Sequence, residues 1–189
     1  MTNNTFSGLE MLKIAILMED EGYNFYINGA KYTTGETKQF LLAAAGQEFI
    51  HKQKFTKLFD ELSSNNADES EYLFDIEVTK YLKALIENQV FDKKDQIAQS
   101  PEGLKSALTY PPKSQEFKFN KKVQAKNAFE DLRSAVKYAL KSEQLTVKVY
   151  TQMYEVISQS EVKGILSVIL EEEKAHVIYF SKLLKEIVD

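Results

Sequence analysis

The sequence predicts an all-α protein, a four-helix bundle built from two helix pairs and a long crossover that holds an additional helix. Three observations carry this. Seven glycines and three prolines in 189 residues leave little punctuation for many short strands, while Leu, Ala, Glu and Lys dominate. Apolar residues recur at alternating steps of three and four through four long stretches. The first two stretches also match the last two at a nearly constant offset, so a helix pair is duplicated. The simplest organisation is a single domain over 1–189, with helix pairs at about 8–62 and 130–188 around a crossover at about 63–129.

Met1 to about Ser7 is polar and expected to fray. Leu9, Leu12, Ile16, Glu19, Tyr23, Tyr26 and Ala30 then form one stripe of the first helix, with a glutamate at a core position. After TTGET, where Thr34 or Thr37 can cap, Leu41, Ala44, Glu48, His51, Phe55, Leu58 and Leu62 form the stripe of the second. Gly46 lowers helix propensity there and suggests a close helix approach.

The polar run SSNNADES breaks the pattern, and 71–90 reads as a crossover helix with Tyr72, Leu73, Ile76, Leu82, Leu85 and Ile86 on its apolar side. Ser100-Pro101 can start a short helix that Tyr110-Pro111-Pro112 ends, and Phe117 and Phe119 are expected to pin the connection to the bundle. Lys113, Lys118, Lys121, Lys122 and Lys126 read as a solvated loop. From about Glu130, a third stripe holds Leu132, Val136, Ala139, Glu143, Thr146, Tyr150, Met153 and Ile157. Ser158 or Ser160 can cap the fourth helix, whose stripe is Leu166, Ile169, Glu173, His176, Phe180, Leu183 and Ile187.

The net charge of −4 argues against a nucleic-acid partner or an anionic membrane surface. No cysteine is present, which excludes disulfides, thiolate zinc sites and iron–sulfur centres. The apolar LEMLKIAILM is short, lacks a basic flank and contains Glu10 and Lys13, so a soluble, cytoplasmic protein is expected.

Both histidines of the chain follow a glutamate by three residues, as Glu48/His51 and Glu173/His176. Residues three apart share a helix face, so each pair can direct an oxygen and a nitrogen at one point. A lone Glu on a helix is usually solvated, and a lone buried His usually has a hydrogen-bonded core role. Glu19 has acidic neighbours in Asp20 and Glu21, and Glu173 in Glu171 and Glu172, so phase alone selects them. The joint pattern weighs differently. Four carboxylates in one bundle core would be severely frustrated unless two divalent cations neutralised them, which points to a dinuclear metal site.

AILMEDEGYNFY, QEFIH, ALKSEQLTVKVY and EEEKAH resemble the four signature helices of the ferritin-like di-metal carboxylate proteins, and within them the rubrerythrin-like branch. The resemblance covers about 9–62 and 132–188. It implies that Glu19 and Glu143 are terminal carboxylates, Glu48 and Glu173 bridging ones, and His51 and His176 one imidazole per metal. It further implies two iron ions, with manganese or a mixed pair as the variant, and a homodimer. Tyr26 and Tyr150, two turns beyond Glu19 and Glu143, or Tyr23 at one turn, are either hydrogen-bond donors to the ligands or core aromatics.

The implied activity is reduction of hydrogen peroxide by a non-haem di-iron centre. Ferroxidase chemistry with O₂ or peroxide, and di-manganese catalase-like chemistry, are the alternatives, and a metal-free interaction bundle is disfavoured on charge. Two departures bear on this. Without cysteine the chain lacks the rubredoxin domain of full rubrerythrins, so electrons need an external donor protein such as a rubredoxin. Thr146 stands where many rubrerythrins carry a further glutamate, which weakens transfer of their peroxide selectivity.

Overall fold

The computed structural model describes residues 7–65, Leu73, Phe129 and 131–187. Among these the chain forms four helices and no strand: α1 (Gly8–Ala30), α2 (Gly35–Ser63), α3 (Leu132–Val156) and α4 (Ser160–Glu186). The expected crossover helix at 71–90, the short helix near Pro101, the Phe117/Phe119 pins and the lysine cluster lie outside the described residues, except that Leu73 is fully buried in the core. No described helix is long and apolar enough to cross a membrane.

Helix ends follow local chemistry. Ser7 is not frayed: its hydroxyl accepts from the Glu10 amide while the Glu10 carboxylate accepts from the Ser7 amide, closing a capping box on α1. Asp131 and Ser134 close the equivalent box on α3, which starts at Leu132. Thr34 caps α2 by backbone position only, and Gly35 adopts φ 58°, a left-handed turn that glycine accepts without strain. On α4 the cap is Gln159, not Ser158 or Ser160, and its side chain makes no capping bond.

α1 packs along α2, α3 along α4, and α2 also meets α3 and α4. The stripes point inward as the spacing requires. One apolar cluster gathers Leu9, Leu12, Phe55, Met153, Leu166 and Ile169; the other gathers Ala30, Leu41, Ala44, Val136, Ala139 and Phe180. Each fully buried large apolar side chain contributes roughly 1.5–3 kcal/mol. These two blocks can carry the fold, and the stripe positions between them are free to hold polar side chains.

α1 is more enclosed than one stripe predicts, since Met11, Ile14, Ala15, Leu17 and Met18 are buried as well. Gly8, Ala15, Gly22 and Gly29 recur every seven residues, all buried. A β-carbon at Gly29 would lie 2.6 Å from the Phe129 ring, and one at Gly22 would meet the Glu48 carboxyl. Gly46, read from sequence as the point of close approach, is exposed with nothing within 4 Å of an added β-carbon. The close approach belongs to α1.

Candidate metal centre

Between the apolar clusters the buried polar residues, among those described, are Glu19, His51, Glu143 and Glu173, none more than 4% exposed. Their stripe positions put each on the inner face of its own helix. His51 Nδ1 lies 2.8 Å from Glu173 Oε1 and 3.6 Å from Glu19 Oε2. His176, with a side chain 19% exposed, places Nδ1 3.2 Å from Glu173 Oε2 and 3.7 Å from Glu143 Oε1. The two imidazole centroids are 5.6 Å apart with their planes 24° from parallel.

The atoms thus fall into two three-donor sets, Glu19/His51/Glu173 and Glu143/Glu173/His176, each with donors within 4.8 Å of one another. Glu173 serves both, one oxygen to each side. In the first set Glu19 Oε2, His51 Nδ1 and Glu173 Oε1 are buried and have no aligned hydrogen-bond partner. Buried polar atoms almost always find partners. Three orphans converging on one point suit a cation: carboxylate oxygen and imidazole nitrogen are ligands that iron and manganese accept.

Glu48 belongs to neither set. The residue is half-buried, but its carboxyl is the enclosed end, lying against Gly22 and beside Glu19. Burial, and after it the charge of Glu19, pushes this carboxyl well above its ordinary value. Burial and then Glu173 raise Glu143 likewise. At Glu173 burial is outweighed by the facing Glu143, His176 and His51 side chains, and its carboxyl is held well below the usual range. Burial would lower His51, yet Glu173 and Glu19 outweigh it and lift the imidazole to about 10. Without cations, protons therefore do the neutralising.

Three features were not visible in the stripe pattern. His51 Nε2–H donates to Glu172 Oε2 at 2.8 Å, and Lys54 Nζ holds both Glu172 oxygens at 2.6 and 2.7 Å. An ionised carboxylate only accepts, so Nε2 carries a hydrogen and Nδ1 is left for the interior. Among the described residues His176 has no such outer partner. Secondly, the Tyr150 hydroxyl donates to Glu19 Oε1, across to the other helix pair. Glu143 lies two turns away on its own helix, about 11 Å along the axis and out of a tyrosine's reach. The Tyr26 hydroxyl is buried with no aligned hydrogen-bond partner, so of these three tyrosines Tyr150 alone donates to the cluster, while Tyr23 packs at a tilt against Phe49. Thirdly, Gly22 seats Glu48. The heptad of small residues on α1 was the signal available for it.

A four-helix bundle whose inner faces hold a carboxylate–imidazole cluster of this kind defines a ferritin-like architecture. The comparisons with known proteins agree and narrow it. The Rubrerythrin family profile matches residues 10–121, more than half of the chain, and the chain belongs to the rubrerythrin family. That match runs through α1 and α2 into the crossover and stops short of α3. A crystal structure from Thermotoga maritima, described as a ferritin-like diiron-carboxylate protein, aligns over 97% of each chain with a TM-score of 0.56 at 17% identity, so the fold likeness spans both helix pairs. No curated protein matches the sequence.

Proposed function

We propose that this protein is a non-haem di-iron oxidoreductase that reduces hydrogen peroxide with electrons from a separate donor protein. The convergence of the orphaned Glu19, His51 and Glu173 atoms carries the metal part of this reading. Glu19, His51 and Glu173 would hold one ion, and Glu143, Glu173 and His176 the other, with Glu48 as the further carboxylate beside Glu19. When bound, two iron ions supply the two electrons that, with two protons, convert one peroxide into two waters. The family assignment supports an iron centre, and the absence of cysteine supports an outside donor.

The chain's own residues set the surroundings. Tyr150 fixes one oxygen of Glu19 and leaves the other facing His51. Glu172, clamped by Lys54, fixes the His51 ring. Lys54→Met should therefore weaken binding of the first ion roughly 10-fold, within the range known for residues that orient ligands, and Lys54→Arg should restore it. An anaerobic Co(II) titration reads both. Unchanged affinity in Lys54→Met would deny the clamp its role.

The reaction is tested by stopped-flow oxidation of the anaerobically reduced, iron-loaded protein. Peroxide should reoxidise it much faster than equimolar O₂. Equal rates would overturn the peroxidase reading and favour iron oxidation with O₂.

A further inference from the structure

We propose that Gly22 is a positioning residue of the metal centre: by having no side chain, it keeps the Glu48 carboxylate seated against α1, one turn from Glu19. This rests on the two-metal reading. Gly22 is buried at the middle of α1, three residues after Glu19 and so on the same helix face. A β-carbon built on it lies 2.9 Å from Glu48 Cδ and 3.1 and 3.2 Å from the two carboxylate oxygens. Its three nearest neighbours are thus all one carboxylate. That carboxylate stands beside Glu19, whose Oε2 is buried and without a hydrogen-bond partner.

The consequence of adding a methyl group follows from what it would strike. At Gly29 the obstacle is the buried ring of Phe129, itself packed edge-on against Phe25 and Tyr138. At Gly22 it is the tip of a side chain with three rotatable bonds, so the carboxylate swings aside at little expense to the fold. The helix itself gains from losing a central glycine. A metal ligand tolerates displacement poorly, since bond lengths must hold within about 0.2 Å. One substitution therefore moves folding and binding in opposite directions. A residue that merely packed α1 against α2 would move them together.

The test compares Gly22→Ala with wild type and with Gly46→Ala, where the added carbon meets nothing within 4 Å at an exposed position of α2. Metal-free melting temperature and anaerobic Fe(II) affinity are measured on the full chain. Gly22→Ala should melt no lower than wild type yet bind Fe(II) roughly 10- to 100-fold more weakly. Gly46→Ala should keep wild-type affinity. Should Gly22→Ala prove destabilised, a double-mutant cycle decides: once Glu48→Asp has shortened the carboxylate, adding Gly22→Ala should lower affinity far less than it does alone. Wild-type affinity in Gly22→Ala, or additive losses in the cycle, overturns the proposal. A wild-type chain that takes up less than about one iron defeats the two-metal reading itself.

Discussion

Glu173→Ala is expected to lose both metal ions, where the loss of any other ligand leaves at least one three-donor set complete. The reason is geometric. Glu173 directs Oε1 to His51 and Oε2 to His176, and it is the member common to both sets. Truncation leaves each imidazole with a single carboxylate of its own set, Glu19 on one side and Glu143 on the other, and Glu48, seated beside Glu19, lies outside both sets and does not replace the shared oxygens. Two protein donors hold a divalent ion much more weakly than three. Glu173→Gln keeps the volume but removes the charge, and should also fall well short of two ions. Glu171→Ala, two residues earlier on an exposed side chain, is the control and should retain full content. Elemental analysis after anaerobic reconstitution and desalting reads all three. Two iron ions retained by Glu173→Ala would overturn the assignment of Glu173 as the shared ligand.

The same residue shows what periodicity can and cannot report. Among Glu171, Glu172 and Glu173, the stripe through Ile169 and Phe180 selects Glu173, and the structure buries it to 1% exposure while Glu171 is exposed. A period of 3.6 residues fixes which side of a helix faces in. It says nothing about what stands opposite at the same height. Glu172 was passed over because it lies off the stripe; it matters only because α4 brings it against His51 of α2. The Tyr150–Glu19 bond has the same origin. Its partner lies 131 residues away, in the other copy of the duplicated pair, and spacing along one helix could suggest only Glu143.

Gly46 and Gly22 form the most instructive contrast. Propensity marks any mid-helix glycine as unusual, and on that ground alone Gly46 reads as a point of close helix approach. The glycine that matters to Glu48 sits on α1, and only the heptad of Gly8, Ala15, Gly22 and Gly29 hinted at it. Small residues on one stripe mean that something comes near. Here the neighbour is a carboxylate at one turn and an aromatic ring two turns on.

Stability of the metal-free protein should fall as pH rises from 6.5 to 8.5, and metal loading should remove that dependence. Glu48 and Glu143 are raised above an ordinary value of 4.5, by burial first and by neighbouring carboxylates second. His51 is raised from 6.5 to about 10, with Glu173 and Glu19 outweighing the effect of burial. A group whose pKa is higher in the folded state contributes stability in full below its unfolded value, and that contribution drains away as pH climbs through the folded value. For His51 the window runs from 6.5 to about 10. Glu173 is shifted the other way; its contribution is in place above 4.5 and is lost only in acid, so it adds no slope near neutrality. One proton kept by the folded chain and released on unfolding lowers stability by about 1.4 kcal/mol per pH unit. In a domain of this size that is roughly 3–6 °C of melting temperature per unit from His51 alone. Calorimetry of chelator-treated protein at pH 6.5, 7.5 and 8.5 measures it, and a flat or rising trend would mean that the cluster is not protonated as its burial and charge require. Once two cations are bound they take the place of these protons, so the loaded protein should melt at nearly constant temperature over the same range. The gap between loaded and metal-free forms then widens with pH, because every proton that the empty cluster must recruit from a thinning supply is one that the metal has already displaced.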